Sequence, residues 1–186
     1  MDVSDLRKNA KLELDGQPYV VVDFQFVKPG KGQGLYKCKI KNMITGAVLE
    51  RTWRSGERLE AANVESRKMQ YLFSTGDTFT FMDSENYEQV ELSKDIIGDD
   101  ANYLLDNLDC DILFYNERPV GLSLSSHVVM EIIEAEPGVK GDTATGVTKT
   151  AKVSTGYAIQ VPLFIKVGER VKIDTRTGAY VERVNK

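Results

Sequence analysis

Between residues 19 and 41 apolar and polar side chains alternate with a period of two, and a single Pro- and Gly-rich run interrupts them. That period builds half-buried strands; an amphipathic helix repeats every three to four residues instead. In Tyr19-Val-Val-Val-Asp-Phe-Gln-Phe26, the pattern places Val20, Val22, Phe24 and Phe26 on one face, with Asp23 and Gln25 on the other. In Tyr36-Lys-Cys-Lys-Ile-Lys41, Tyr36, Cys38 and Ile40 alternate with three lysines. The run between them, Val-Lys-Pro-Gly-Lys-Gly-Gln-Gly at 27–34, is a loop by composition, so the unit reads as a hairpin with a long tip. Asn42-Met-Ile-Thr-Gly46 then turns the chain into a strand at 47–53.

Further along, residues 71–73, 78–82 and 87–92 read as short strands. The best helix candidate follows, capped by Asp99 or Asp100, with Ala101, Leu104, Leu105 and Leu108 as its apolar stripe. Two more strands are expected at 111–115 and 120–124. Three strands, a helix and two strands is the order of an OB-type barrel. The last third carries no strong helix signal. Strands are expected at 128–135 and 157–164, where Pro162 points to an edge or a bulge, and a closing hairpin at 171–184. The expected class is all-β, in three compact units with cuts near 63 and 125, each marginal in burial alone.

Charge follows the same division. The formal net charge is −4, but it is +3 over residues 1–63, −9 over 64–125 and +2 over 126–186. No acidic residue occurs from Phe24 to Leu49, where Lys28, Lys31, Lys37, Lys39 and Lys41 lie. Such a stretch fits a solvated basic face or a surface that meets phosphate. Cys38 and Cys110 have no metal or redox spacing, which suits a reducing compartment. His127 is the single histidine, so a multi-His metal site is excluded and a Ser-His-Asp triad would depend on that residue alone. It reads as structural or exposed. Asp99, Asp100, Asp106, Asp109 and Asp111 lack the EF-hand order and read as a solvated acidic face. No apolar run approaches the roughly 20 residues of a membrane span, and the N-terminus has no apolar signal core, so a cytoplasmic location is expected.

The tip run Gly30-Lys-Gly-Gln-Gly34 is neither a dinucleotide fingerprint nor a Walker loop. Its third glycine comes one residue early and no Gly-Lys-Ser or Gly-Lys-Thr occurs. Lys31 stands between two glycines with no neighbouring carboxylate. Pro29 restricts the backbone before it, while Gly30 and Gly32 permit unusual dihedrals. From local sequence alone Lys31 is either a solvated turn lysine or a group presented to a narrow site or a modifying enzyme.

Phe26-Val-Lys-Pro-Gly-Lys-Gly-Gln33 resembles the domain I loop of bacterial elongation factor P. The resemblance extends through Gly141-Asp-Thr-Ala-Thr-Gly146, through the segment 149–168 that contains Val-Ser-Thr-Gly-Tyr-Ala-Ile-Gln-Val-Pro, and through Asp174-Thr-Arg-Thr-Gly-Ala-Tyr-Val-Glu-Arg183. It implies three small β-barrel domains in an L shape: an SH3/KOW-like domain at 1–63, a central OB domain at 64–125 and a C-terminal OB domain at 126–186. It implies a monomeric translation factor, not an enzyme, with no metal, cofactor or membrane partner. Members bind the bacterial ribosome between the peptidyl-tRNA and exit sites and relieve stalling at consecutive prolines. By position, Lys31 corresponds to the modified lysine, with a β-lysyl group favoured and a lysine-modifying enzyme resembling a lysyl-tRNA synthetase as partner. Lys28, Pro29, Gly30, Gly32 and Gln33 correspond to the loop at the CCA end of the peptidyl-tRNA. Gly141, Asp142, Thr143, Ala144, Thr145 and Gly146 correspond to a loop near exit-site mRNA, and Tyr180 and Arg183 to candidate contacts with the ribosome and its rRNA. Gly34 stands where many members carry Ala, which is expected to loosen the base of the loop. A generic OB-fold protein for single-stranded RNA is the alternative.

Overall fold

A computed structural model describes residues 1–138 and 147–185. In these residues the chain is all-β, with three five-stranded antiparallel sheets, each curled around a core of its own. No helix among the described residues is long and apolar enough to cross a membrane.

The first sheet contains β1 (Lys11–Leu14), β2 (Gln17–Val27), β3 (Leu35–Asn42), β4 (Val48–Arg54) and β5 (Glu60–Ala61), in the order β4-β3-β2-β1-β5. The expected hairpin is β2–β3. The short β1 and β5 have too few residues to display a period, so the alternation does not reveal them. A 3-10 turn at Val3–Asp5, capped by Asp2, buries Val3 beneath the sheet, and Leu6 follows it there. They meet Leu12, Val21, Cys38, Ile40 and Trp53.

The facing of β2 differs from the simple alternation. Its register with β3 skips a residue between Val21 and Asp23. The extra residue at this bulge resets which face each side chain takes. Val21, opposite Ile40, is fully buried in the first core, and Phe24 packs on that same core. Val20 is turned away and packs with Met43, Tyr115 and Val120, a small apolar cluster between the first two sheets.

The second sheet contains β6 (Glu65–Thr75), β7 (Thr78–Asp83), β8 (Gln89–Ser93), β9 (Asp109–Tyr115) and β10 (Arg118–Ser123), in the order β10-β9-β6-β7-β8. The helix between β8 and β9 is earlier and shorter than expected. α1 (Lys94–Ile97) is a single turn that ends at Gly98, whose φ of +59° suits a residue without Cβ. A 3-10 segment, Gly98–Tyr103, continues the chain, and Asp99 and Asp100 lie in its first turn instead of capping a helix. The apolar stripe fails as a helical face because it serves two cores. Leu104, Ala101 and Leu108 pack in the second core, whereas Leu105 and Tyr103 pack in the third.

The third sheet contains β11 (His127–Ala135), β12 (Thr148–Val153), β13 (Ala158–Pro162), β14 (Arg170–Asp174) and β15 (Tyr180–Val184), in the order β13-β12-β11-β14-β15. Pro162 is the last residue of an edge strand, the place open to a residue without an N–H donor. Side chains bridge consecutive sheets. Lys41 Nζ donates to the Asp95 carbonyl at 2.7 Å, Thr155 Oγ1 to the Asn102 carbonyl at 2.6 Å and Thr175 Oγ1 to the Ser125 carbonyl at 2.6 Å.

Candidate functional site

The last pair of the β2–β3 ladder is Val27 with Leu35, so residues 28–34 form the tip. Lys28, Pro29, Gly30, Lys31, Gly32 and Gln33 are all exposed. Among the described residues Lys31 makes no ion pair. The two glycines beside it differ in role. Gly32 has φ +147°, a backbone strained for any L side chain, and the Pro29 ring lies 3.7 Å from where its Cβ would be. Gly30 has no such φ and open space around it.

The root of the loop is held on both sides. The Gly34 carbonyl accepts from Ser55 N–H at 2.9 Å and from Ser55 Oγ at 3.2 Å, which ties the loop to the turn after β4. On the other side the Phe26 ring lies 4.8 Å from that of Tyr36. A Cβ on Gly34 would overlap the Phe26 ring and come 2.8 Å from Ser55 Oγ. Gly34 is buried and admits the ring over the base of the loop, so this glycine serves packing rather than looseness. Sequence reasoning missed Ser55 because it lies 21 residues away with no motif of its own.

The remaining sites are dispersed. The loop Gly141–Gly146 lies outside the described residues. Tyr180 opens β15 and packs against the third core. Arg183 donates to Glu169 at 3.2 Å and lies over the Phe164 ring at 5.6 Å. The backbone N–H of Lys166, and then Arg183, lower the Glu169 pKa. These contacts give Tyr180 and Arg183 structural roles whatever else they touch.

Among the described residues, candidate catalytic groups do not converge. Among the described residues His127 Nδ1 has one hydrogen-bond partner, Ser126 Oγ at 3.2 Å. Among the described residues no three His, Cys, Asp or Glu side chains gather as a metal site. Cys38 and Cys110 are free and buried, and burial pushes the Cys110 thiol up to about 12, which suppresses the reactive thiolate. An open groove of about 820 Å³ on the middle sheet is lined by Arg67, Lys68, Asp83, Asp109 and Asp111 among others. Its arginine is committed to Glu117 at 2.9 Å and to the Phe114 ring at 4.3 Å.

Comparison with known proteins agrees with this architecture. Three family models match in order: the elongation factor P KOW-like domain at residues 2–59, the elongation factor P OB domain at 64–122, and the elongation factor P C-terminal domain at 128–183. An elongation factor P of Desulforapulum autotrophicum is 56% identical over 184 residues, covering 99% of this chain and 98% of that protein. One from Synechococcus sp. is 53% identical over 180 residues, covering 97% of each. One from Desulfotalea psychrophila is 50% identical over 184 residues, covering 99% and 98%. With a KOW-like unit that carries the exposed lysine loop, followed by two further β units, the chain belongs to the elongation factor P family of translation elongation factors.

Proposed function

We propose that this translation factor binds the bacterial ribosome between the peptidyl-tRNA and exit sites and relieves stalling at consecutive prolines. The observation that carries the reading is Lys31, an exposed lysine without an ion partner among the described residues, on a loop held at its root by Ser55 and Phe26. Family membership supplies the context. Proline reacts slowly because its ring restricts the geometry of attack. A factor that holds the CCA end near its reactive arrangement lowers the barrier by positioning, and the ribosome supplies the reacting groups. The root tied to Ser55 and the backbone conformation that glycine permits at position 32 support an exposed Lys31 at the tip, and a β-lysyl extension on Lys31 Nζ lengthens its reach. The partners in this reading are peptidyl-tRNA, rRNA, mRNA beside the loop Gly141–Gly146, and a modifying enzyme resembling a lysyl-tRNA synthetase. The factor acts as a cytoplasmic monomer.

One experiment tests both parts. The chain is isolated from its native cell, its intact mass measured, and its rescue of a proline-run translation reaction compared with that of Lys31→Ala. An added mass on the native chain, together with loss of rescue in the variant, is expected. Full rescue by Lys31→Ala would remove Lys31 from the mechanism, and a bare-chain mass would remove the modification.

A further inference from the structure

In the second and third sheets the two edge strands approach each other, β8 to β10 and β13 to β15. No comparable approach brings β4 to β5 among the described residues, so β4 ends the first sheet with one side open. Hydrogen bonds at the two ends of its ladder with β3 fix which backbone groups face that side. Asn42 N–H donates to the Ala47 carbonyl at 2.8 Å and Ser55 N–H to the Gly34 carbonyl at 2.9 Å, and the register between them has no bulge. In an antiparallel ladder alternate residues bond to the neighbouring strand. Leu49, Arg51 and Trp53 therefore turn their backbone groups toward β3, and Val48, Glu50, Thr52 and Arg54 turn theirs outward. Glu57 closes the last of these, because its side chain accepts from Arg54 N–H at 3.2 Å and its own N–H donates to the Arg54 carbonyl at 3.1 Å. Among the described residues Val48, Glu50 and Thr52 keep their outward N–H and C=O groups open. All three residues are exposed, Val48 by 55%.

We propose that β4 is a self-complementary docking edge for a second copy of this chain, and that Glu50 at its centre sets how tightly two copies pair. An open edge is a template for another strand, and a two-fold axis sets the same residues of both copies against each other. With the axis at Glu50, Val48 of each copy stands opposite Thr52 of the other, and every open group is used. With the axis at Leu49, Thr52 meets Gly46, whose N–H already donates to the Asn42 carbonyl. With the axis at Arg51, Val48 meets Arg54, whose backbone Glu57 already holds. The register centred on Glu50 also pairs two β-branched side chains on each side of the axis, a favourable cross-strand contact. Against it stand the two Glu50 carboxylates, like charges placed directly opposite each other. Glu50 therefore keeps pairing weak and reversible in the free chain. The inference is independent of the ribosomal reading, in which one copy acts.

The test is sedimentation velocity of the full chain over a concentration series, in potassium chloride at about 0.1 M and about 1 M, where charges are screened beyond roughly 10 Å and 3 Å. Glu50→Gln strengthens self-association by about fivefold at the lower salt. High salt tightens the unsubstituted chain toward the variant and leaves Glu50→Gln nearly unchanged. Adding Thr52→Pro to Glu50→Gln abolishes the dimer, since proline there removes an outward N–H and spares the ladder with β3. Hydrogen exchange of the Glu50→Gln dimer locates the interface without the proline: the amides of Val48, Glu50 and Thr52 gain protection with concentration. A dimer that survives Thr52→Pro, or protection gained elsewhere, overturns the assignment of β4. A Glu50→Gln chain that stays monomeric throughout overturns self-pairing and leaves the edge to an extended segment of another protein.

Discussion

Gly32 adopts a backbone strained for L residues, while Gly34 has ordinary backbone angles but no room for a side chain. Two glycines two positions apart thus answer different demands, one conformational and one steric. The second demand is testable. In Gly34→Ala the new methyl drives the Phe26 ring off Tyr36. Phe26 is 48% exposed, so the ring can swing into solvent rather than distort the backbone. The expected loss is about 0.5–1.5 kcal/mol, the worth of an aromatic pair. Chemical denaturation of Gly34→Ala, Phe26→Ala and the double variant checks it. In the Phe26→Ala background the glycine substitution should cost little; an unchanged cost would place the clash at Ser55. The loop and its lysine were legible in the sequence because Pro29, Gly30 and Gly32 announce themselves locally. The reason for Gly34 was not, since both Ser55 and the stacked Phe26 ring are supplied by the fold.

Strands with a clean alternation were legible as elements, and departures from regularity were not. A bulge at residue 22 costs one position of register and exchanges the faces of Val20 and Val21, yet an unbroken run of valines hides it. Likewise Leu104 and Leu105 imitate one helical stripe while serving two cores. The turn between β14 and β15 was legible and has a measurable property. Asp174 accepts from the Arg176 side chain at 2.8 and 3.1 Å and from its backbone N–H at 2.8 Å. Those bonds, the side chain's first, hold its pKa down from 3.8 to about 2. A depressed carboxylate stabilises the fold above its unfolded pKa and loses that contribution as pH falls through its folded value. Asp174→Asn removes the contribution. The gap in thermal midpoint between wild type and variant should therefore be full above about pH 5 and close between about pH 4 and pH 2. A gap that persists at pH 2 would assign the effect to the amide itself.

The three units are joined through residues that belong by sequence to one unit and by packing to another. Tyr103 ends the 3-10 segment of the middle unit but is buried in the third core, edge-on to Tyr157 with ring centroids 5.6 Å apart. Above the hydroxyls of both tyrosines lies Gly178, where a Cβ would come 2.7 Å from that of Tyr157. Burial, the bond to Tyr157 and the carboxylates of Asp100 and Asp99 push the Tyr103 phenol up to about 12. A phenol raised in the folded state favours folding in full below its unfolded value of about 10. That contribution is lost as pH rises toward about 12. Tyr103→Phe should flatten the fall in stability over this range, as followed by denaturant titration at fixed ionic strength. Tyr103→Ala should do more, because it opens a cavity in the third core at a cost of about 3–5 kcal/mol and removes the side chain that couples two units. Calorimetry should then resolve separate transitions for the middle and C-terminal units, whereas the unsubstituted chain is expected to unfold them together. A single transition in Tyr103→Ala would move the coupling to the Thr155–Asn102 and Thr175–Ser125 hydrogen bonds.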